Sequence, residues 1–186
     1  MEIIRASLKY RNLYDILIKL EVKKSMKNSF DSCIQDIVTN EQFNKLKTEL
    51  HHGITRYDHA YRVAKWTHII GKIFKMKNNV NTTRAALLHD FYVNDDLTGN
   101  GAQRLGRHPE VALENSLKYY ELDNIQKDII KSHMFPCNLT VPKYKESWLV
   151  SMIDKTVGTY EMLRFKTSLY SGIFLLFLFE LITISR

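Results

Sequence analysis

Four histidines and two aspartates stand in an order that could hold metal ions: His59, His89-Asp90, His108, His133 and Asp154. A histidine joined directly to an aspartate sets a borderline nitrogen ligand beside a hard oxygen ligand that can bridge. That pair suits Fe, Mn, Zn or Mg chemistry on phosphate esters. The dipeptide alone arises by chance in many chains, whereas the order His…His-Asp…His…His…Asp is far more specific. Each residue also has an ordinary explanation when taken singly. His108 precedes a proline as an exposed helix-start residue would, His133 reads as a partly buried and partnered histidine, and Asp154 could be half of a salt bridge. Asp154 is distinctive in following the stretch Trp148-Leu149-Val150-Ser151-Met152-Ile153. A carboxylate in apolar surroundings needs a cation or strong donors to remain charged.

Such ligands converge only if separate elements carry them. His59 and His89 lie 30 positions apart, which suits two antiparallel helices joined near Lys77-Asn78-Asn79. Neighbours on a helix project about 100° apart. His89 and Asp90 therefore reach one metal only if it sits between their directions; alternatively Asp90 bridges two ions about 3.5–4 Å apart.

The apolar spacing predicts an all-α chain. A helix with one apolar face is expected from Glu2 to about Val22, on Ile4, Leu8, Leu13, Ile16 and Leu20. Helices follow over Ser29–Val38 and Asn40–Leu50, with Phe30, Ile34, Ile37, Phe43, Leu46 and Leu50 turned inward. Arg56–Phe74 reads as a strong helix carrying Val63, Trp66, Ile70 and Phe74. Asn81-Thr82-Thr83 is read as the N-cap of a helix ending at His89-Asp90. The polar stretch Val93–Gly106 reads as a loop near the site, and Pro109 as the first turn of a helix running to about Tyr120. Asp123-Asn124 caps the helix carrying His133, and Lys145 to about Arg164 is the last core helix, with Asp154 in its middle.

The ligand order resembles that of the HD-domain superfamily of metal-dependent phosphohydrolases, over roughly residues 51–164. His59, His89-Asp90 and Asp154 match its four-ligand pattern, and His108 and His133 match the extra ligands of its two-metal members. His52-Gly53…Tyr57-Asp58-His59, Ala85-Ala86-Leu87-Leu88-His89-Asp90, His108-Pro109…Ala112-Leu113-Glu114-Asn115 and Ile129-Ile130-Lys131-Ser132-His133-Met134-Phe135-Pro136 look like a subgroup of small bacterial HD proteins named only as hydrolases. The resemblance implies an HD-like helical bundle, a centre of two divalent cations (Fe, Mn, Zn or Mg), and hydrolysis of a nucleotide or other phosphoester. It leaves the substrate open. A di-iron oxygenase on the same ligand pattern is a second reading, and a membrane-associated module that binds a nucleotide without turnover is a third.

Residues facing the substrate are expected nearby. Arg56, Arg107 and His52 are candidates for binding an anionic phosphate compound, and Lys155 and Asp95 for assisting catalysis beside Asp90. A surface role competes for each of these. His68 is read as structural.

At 186 residues the chain has room for one domain, read as residues 1–167, followed by an apolar tail at 168–186. The net charge of +7 favours anionic partners, although dispersed lysines that solvate helix faces account for it equally well. Cys33 and Cys137 form no metal-binding pair and read as reduced thiols of a cytoplasmic protein, and no secretory h-region is evident at the N-terminus. The absence of a helix-turn-helix or aromatic-basic motif speaks against specific nucleic-acid recognition. Leu169–Ile184 would form a helix apolar all round, shorter than the roughly 20 residues of a full span and interrupted by Glu180. Contact with the inner face of a membrane, packing against this domain, a partner, or a second copy in an oligomer are the alternatives for it.

Overall fold

The computed structural model describes residues 24–26, 29–51 and 53–184. The helix expected over 2–22 and the candidate His52 lie outside the described residues. The described chain is mostly helical, as expected. Residues 29–38 form α1, Glu41–Asn44 α2, Arg56–Ile73 α3, Asn79–Leu88 α4, Gly101–Leu117 α5, Asn124–Ser132 α6 and Lys145–Ile184 α7.

Helix α4 is the axis of the bundle. Thr82, Thr83, Ala85, Ala86, Leu87 and Leu88 are all buried, and α3, α5, α6 and α7 pack around it. Burial on every side is what its run of small and aliphatic residues calls for. Consequently whatever follows Leu88 emerges in the protein interior, and that is His89-Asp90. Helix α4 begins at Asn79, ahead of the expected cap, and Thr82 and Thr83 return their hydroxyls to Asn78 O and Asn79 O inside it. Its first residue lies across α3. A Cβ on Gly71 would fall 1.9 Å from Asn79 Oδ1, so only glycine permits that approach, and Asn79 Nδ2 donates to His68 O.

Helix α3 starts where Thr55 accepts from Asp58 N. Its buried face runs through His59, Ala60, Val63, Ala64, Thr67, His68 and Gly71. Trp66 and Phe74, expected to belong to that face, are 52% and 74% exposed. His68 is structural, lying between Ser29 Oγ and Thr83 Oγ1.

Three other expectations need correction. The helix predicted over 40–50 stops after α2 and a 3-10 turn at Lys45–Lys47; Leu50–His51 (β1) then pairs antiparallel with Ile54–Thr55 (β2), leaving Leu50 77% exposed. Gly53 makes this hairpin turn at φ 85°, a conformation that favours glycine. The segment 93–106 is only partly a loop. Asn94–Asp96 forms a 3-10 turn, and α5 begins at Gly101 under a reciprocal Asn100–Gln103 capping box. Pro109 therefore sits inside α5 rather than in its first turn. Finally, the last core helix, expected to end near Arg164, continues without a break as α7 to Ile184. Among the described residues no helix is long and apolar enough to cross a membrane.

Candidate metal centre

The six residues His59, His89, Asp90, His108, His133 and Asp154 meet at the inner end of α4, and all are buried. His59 comes from the first turns of α3, His108 from α5 and Asp154 from α7. His89 and His133 are the C-cap residues of α4 and α6, and both are in right-handed helical conformation.

The two C-cap histidines share one device. His89 Nδ1 lies 2.7 Å from Ala86 O, and His133 Nδ1 lies 2.7 Å from Ile130 O. A carbonyl only accepts, so Nδ1 carries the proton in each. The helix-terminal carbonyl gains a donor, and Nε2 is turned inward. His59 is oriented by a carboxylate instead: its Nδ1 lies 2.7 Å from Glu161 Oε2, while Glu161 Oε1 accepts from Arg62 at 2.6 Å. This is the outer support that metal-ligating histidines use.

The inward-facing atoms form two groups about Asp90. In the first, Asp154 Oδ1 lies 3.0 Å from His59 Nε2 and 3.5 Å from His89 Nε2, and Asp90 Oδ2 lies 3.7 Å from His89 Nε2. In the second, Asp90 Oδ1 lies 3.5 Å from His108 Nε2 and 3.6 Å from His133 Nε2, with the two imidazole nitrogens 3.1 Å apart. Ligands about 2.1 Å from an ion stand roughly 3.0–3.4 Å apart in octahedral or tetrahedral sites. The observed separations are at or slightly beyond that range. His89 Nε2 is buried with no hydrogen-bond partner, an arrangement that costs free energy unless something else satisfies the atom. The trios His59, His89, Asp154 and His89, Asp90, His133 each bring their ligand atoms close enough to hold an ion. The residues present thus could hold a metal ion.

The electrostatics divide along the same line. Burial works against charging His59, but the hydrogen bonds of Asp154 and Glu161 outweigh it and raise its pKa to about 10. Burial likewise opposes charging His89, and Asp90 and Asp154 override it upward. His108 is pushed down by burial, and His133 falls to about 3 through burial and the neighbouring His89. Burial would raise the Asp154 carboxyl, yet the hydrogen bond from His59 and the nearness of His89 hold it well below the usual range. Without a metal, then, the His59 half holds a proton between carboxylates, and the His108–His133 half presents neutral lone pairs.

A cavity of about 250 Å³ opens over these residues, walled further by Tyr92, Met134, Lys155, Thr159 and Met162. Lys155 lines it as expected. Its Nζ donates to His133 O at 2.6 Å and lies 3.9 Å from Asp154 Oδ2, and burial lowers its pKa. The other expected substrate residues sit elsewhere. Arg56 is buried and committed to the protein: it donates to Tyr92 O at 2.9 Å, pairs with Glu49 at 3.4 Å, and stacks on the Tyr92 ring at 3.9 Å. It shapes the cavity only through Tyr92, whose ring lies 5.2 Å from that of His108. Arg107 is exposed and reaches Thr98 Oγ1 at 3.3 Å. Asp95 is exposed on the 3-10 turn, apart from the residues walling the cavity.

Sequence reasoning missed Glu161 and Tyr92. Glu161 had a readable signal, since it follows Asp154 by two helical turns and so shares its face. Tyr92 had none, because its position depends on how the chain turns after α4. Searches against family models, curated proteins and solved structures found no match to this chain.

Proposed function

We propose that this protein is a metal-dependent phosphohydrolase of the HD-domain type, with a two-metal centre bridged by Asp90. The observation that carries the reading is the division of the Asp90 carboxylate, with Oδ2 toward His89 and Oδ1 toward His108 and His133. A carboxylate so divided can serve two ions, with His59, His89 and Asp154 completing one site and His108 and His133 the other. Divalent metals there would supply a hydroxide near neutral pH and neutralise charge on a phosphoryl group.

The chain's own groups then have defined tasks. Glu161 accepts the Nδ1 proton of His59 and so keeps Nε2 available as a ligand. The Ala86 and Ile130 carbonyls do the same for His89 and His133. Lys155, anchored on His133 O, places a cation at the cavity wall where a phosphate oxygen would lie. Tyr92 and Met162 form part of the cavity wall. A nucleotide or other small phosphoester is the proposed substrate, and the resemblance in ligand order and the net positive charge both favour an anion.

The donor set also supports a di-iron oxygenase as a second reading, because four of its six residues are imidazoles. Full-length protein reconstituted with Fe, Mn, Zn or Mg and assayed on p-nitrophenyl phosphate, bis(p-nitrophenyl) phosphate and nucleotides distinguishes the two. Hydrolysis that disappears in Asp90→Ala supports the proposal. Oxygen consumption by the iron form, with no hydrolysis under any metal, replaces it with the second reading.

A further inference from the structure

Glu161 is also a wall of a second cavity, of about 310 Å³, next to the one over the metal ligands. Arg62 and Arg164 line it too, and Gly53, Phe165 and Ser168 close it. Both Glu161 oxygens are already taken, Oε2 by His59 and Oε1 by Arg62. The carboxylate therefore turns its charge toward its partners rather than into the cavity.

The two guanidinium groups are differently placed. Arg62 gives one nitrogen to Glu161, and its side chain is 37% exposed. A guanidinium has five N–H donors, so most of them remain for another acceptor. Arg164 is exposed and makes no hydrogen bond or ion pair among the described residues. Two guanidinium charges against one carboxylate leave the cavity positive. The hairpin fits closely against this wall: a Cβ on Gly53 would fall 2.2 Å from Phe165 Cδ2, so bare backbone forms that side.

We propose that this cavity is an oxyanion site for a phosphate group, gripped by Arg62 and Arg164 with the Ser168 hydroxyl as a further donor. Planar guanidinium forks match the oxygens of a tetrahedral dianion, and two of them line this one cavity. The ligand is either free phosphate or the phosphate of a larger metabolite. The inference rests on this cavity alone and stands whether or not the neighbouring centre hydrolyses anything.

The test is isothermal titration calorimetry of the full-length protein, without added metal, using inorganic phosphate and adenosine monophosphate. Arg164→Ala changes an exposed side chain and should fold normally. It is expected to weaken binding of both probes by about tenfold or more. Lys118→Ala, an exposed side chain that lines neither cavity, is expected to leave both affinities within about twofold. Equal affinity for the two probes identifies free phosphate as the ligand, and tighter binding of adenosine monophosphate identifies a phosphate carried on a larger molecule. The proposal is overturned if neither probe binds at millimolar concentration, if Arg164→Ala binds like the wild type, or if only Lys118→Ala loses binding.

Discussion

Glu161 Oε2 lies 2.7 Å from His59 Nδ1, so a carboxylate seven residues beyond Asp154 on the same helix supports the histidine that Asp154 faces from the other side. On the proposed reading, helix α7 would contribute both a ligand, Asp154, and the support for a second, His59. Removing such outer support typically weakens metal binding by about 10–100-fold. Glu161→Ala is expected to fall in that range when metal affinity is measured by competition with a chromophoric chelator. Glu161→Gln keeps an acceptor oxygen and should lose less. Equal affinity in all three proteins would show that His59 needs no such support.

The metal-free protein should lose stability on the alkaline side. His59 is raised from 6.5 to about 10, so the folded state holds its proton more tightly than the unfolded chain. That stabilisation is complete below about pH 6.5 and is lost as pH rises through about 10. His89, also raised, acts in the same direction. On the acid side the signs reverse. Asp154 and Glu161 are lowered and His133 is lowered to about 3, so their contributions are present above their unfolded values and vanish as pH falls through the folded ones. Thermal unfolding with a chelator should therefore peak near pH 6–7. The metal-loaded protein, whose His59 has given up its Nε2 proton, should lack the alkaline loss. Identical alkaline limbs with and without metal would contradict this.

Arg56 and Arg107 were both plausible phosphate ligands by sequence, and the structure separates them. Arg56 is a buried clamp on Tyr92 O and Glu49, whereas Arg107 makes one exposed contact. Arg56→Ala should cost roughly 2–3 kcal/mol of stability, the scale of a lost charge-assisted bond with its acceptors left unpaired. Arg107→Ala should stay within about 0.5 kcal/mol. Denaturant unfolding of the two variants checks the difference.

Gly53 should tolerate no side chain. Its φ of 85° disfavours any residue with a Cβ, and the Phe165 ring occupies the space a Cβ would need. Gly53→Ala is expected to destabilise by about 1–2 kcal/mol from the backbone alone, and the clash adds to that. The Phe165→Ala background should relieve only the clash, so the double variant should be less destabilised than the sum of the two single ones.

Much of the site was legible because local rules and global packing agree there. The run Ala85-Ala86-Leu87-Leu88 reads as the end of an apolar helix, and in the structure that helix end is buried and delivers His89-Asp90 to the interior. Asp123 and Gln126 mark the start of α6, which fixes where His133 falls. The misreadings came where a weaker local signal competed. Phe43, Leu46 and Leu50 have helical spacing, yet Gly53 draws the chain into a hairpin that exposes Leu50. Glycines at 99, 101 and 106 suggested a loop, but the Asn100–Gln103 capping box starts α5 among them. Arg56 and Asp95 are near the ligands in sequence only. Neither side chain faces the cavity, because direction along a helix or turn is set by the tertiary contacts.

The central claim is that Asp90 stands between two ions, and metal content per chain tests it most directly. Elemental analysis of protein purified anaerobically without a chelating tag, and reconstituted with Fe, Mn or Zn, is expected to give about two ions per chain. Asp90→Ala should lose the second and weaken the first, while circular dichroism confirms that its helices remain. No more than one ion per wild-type chain after reconstitution would contradict the bridged centre.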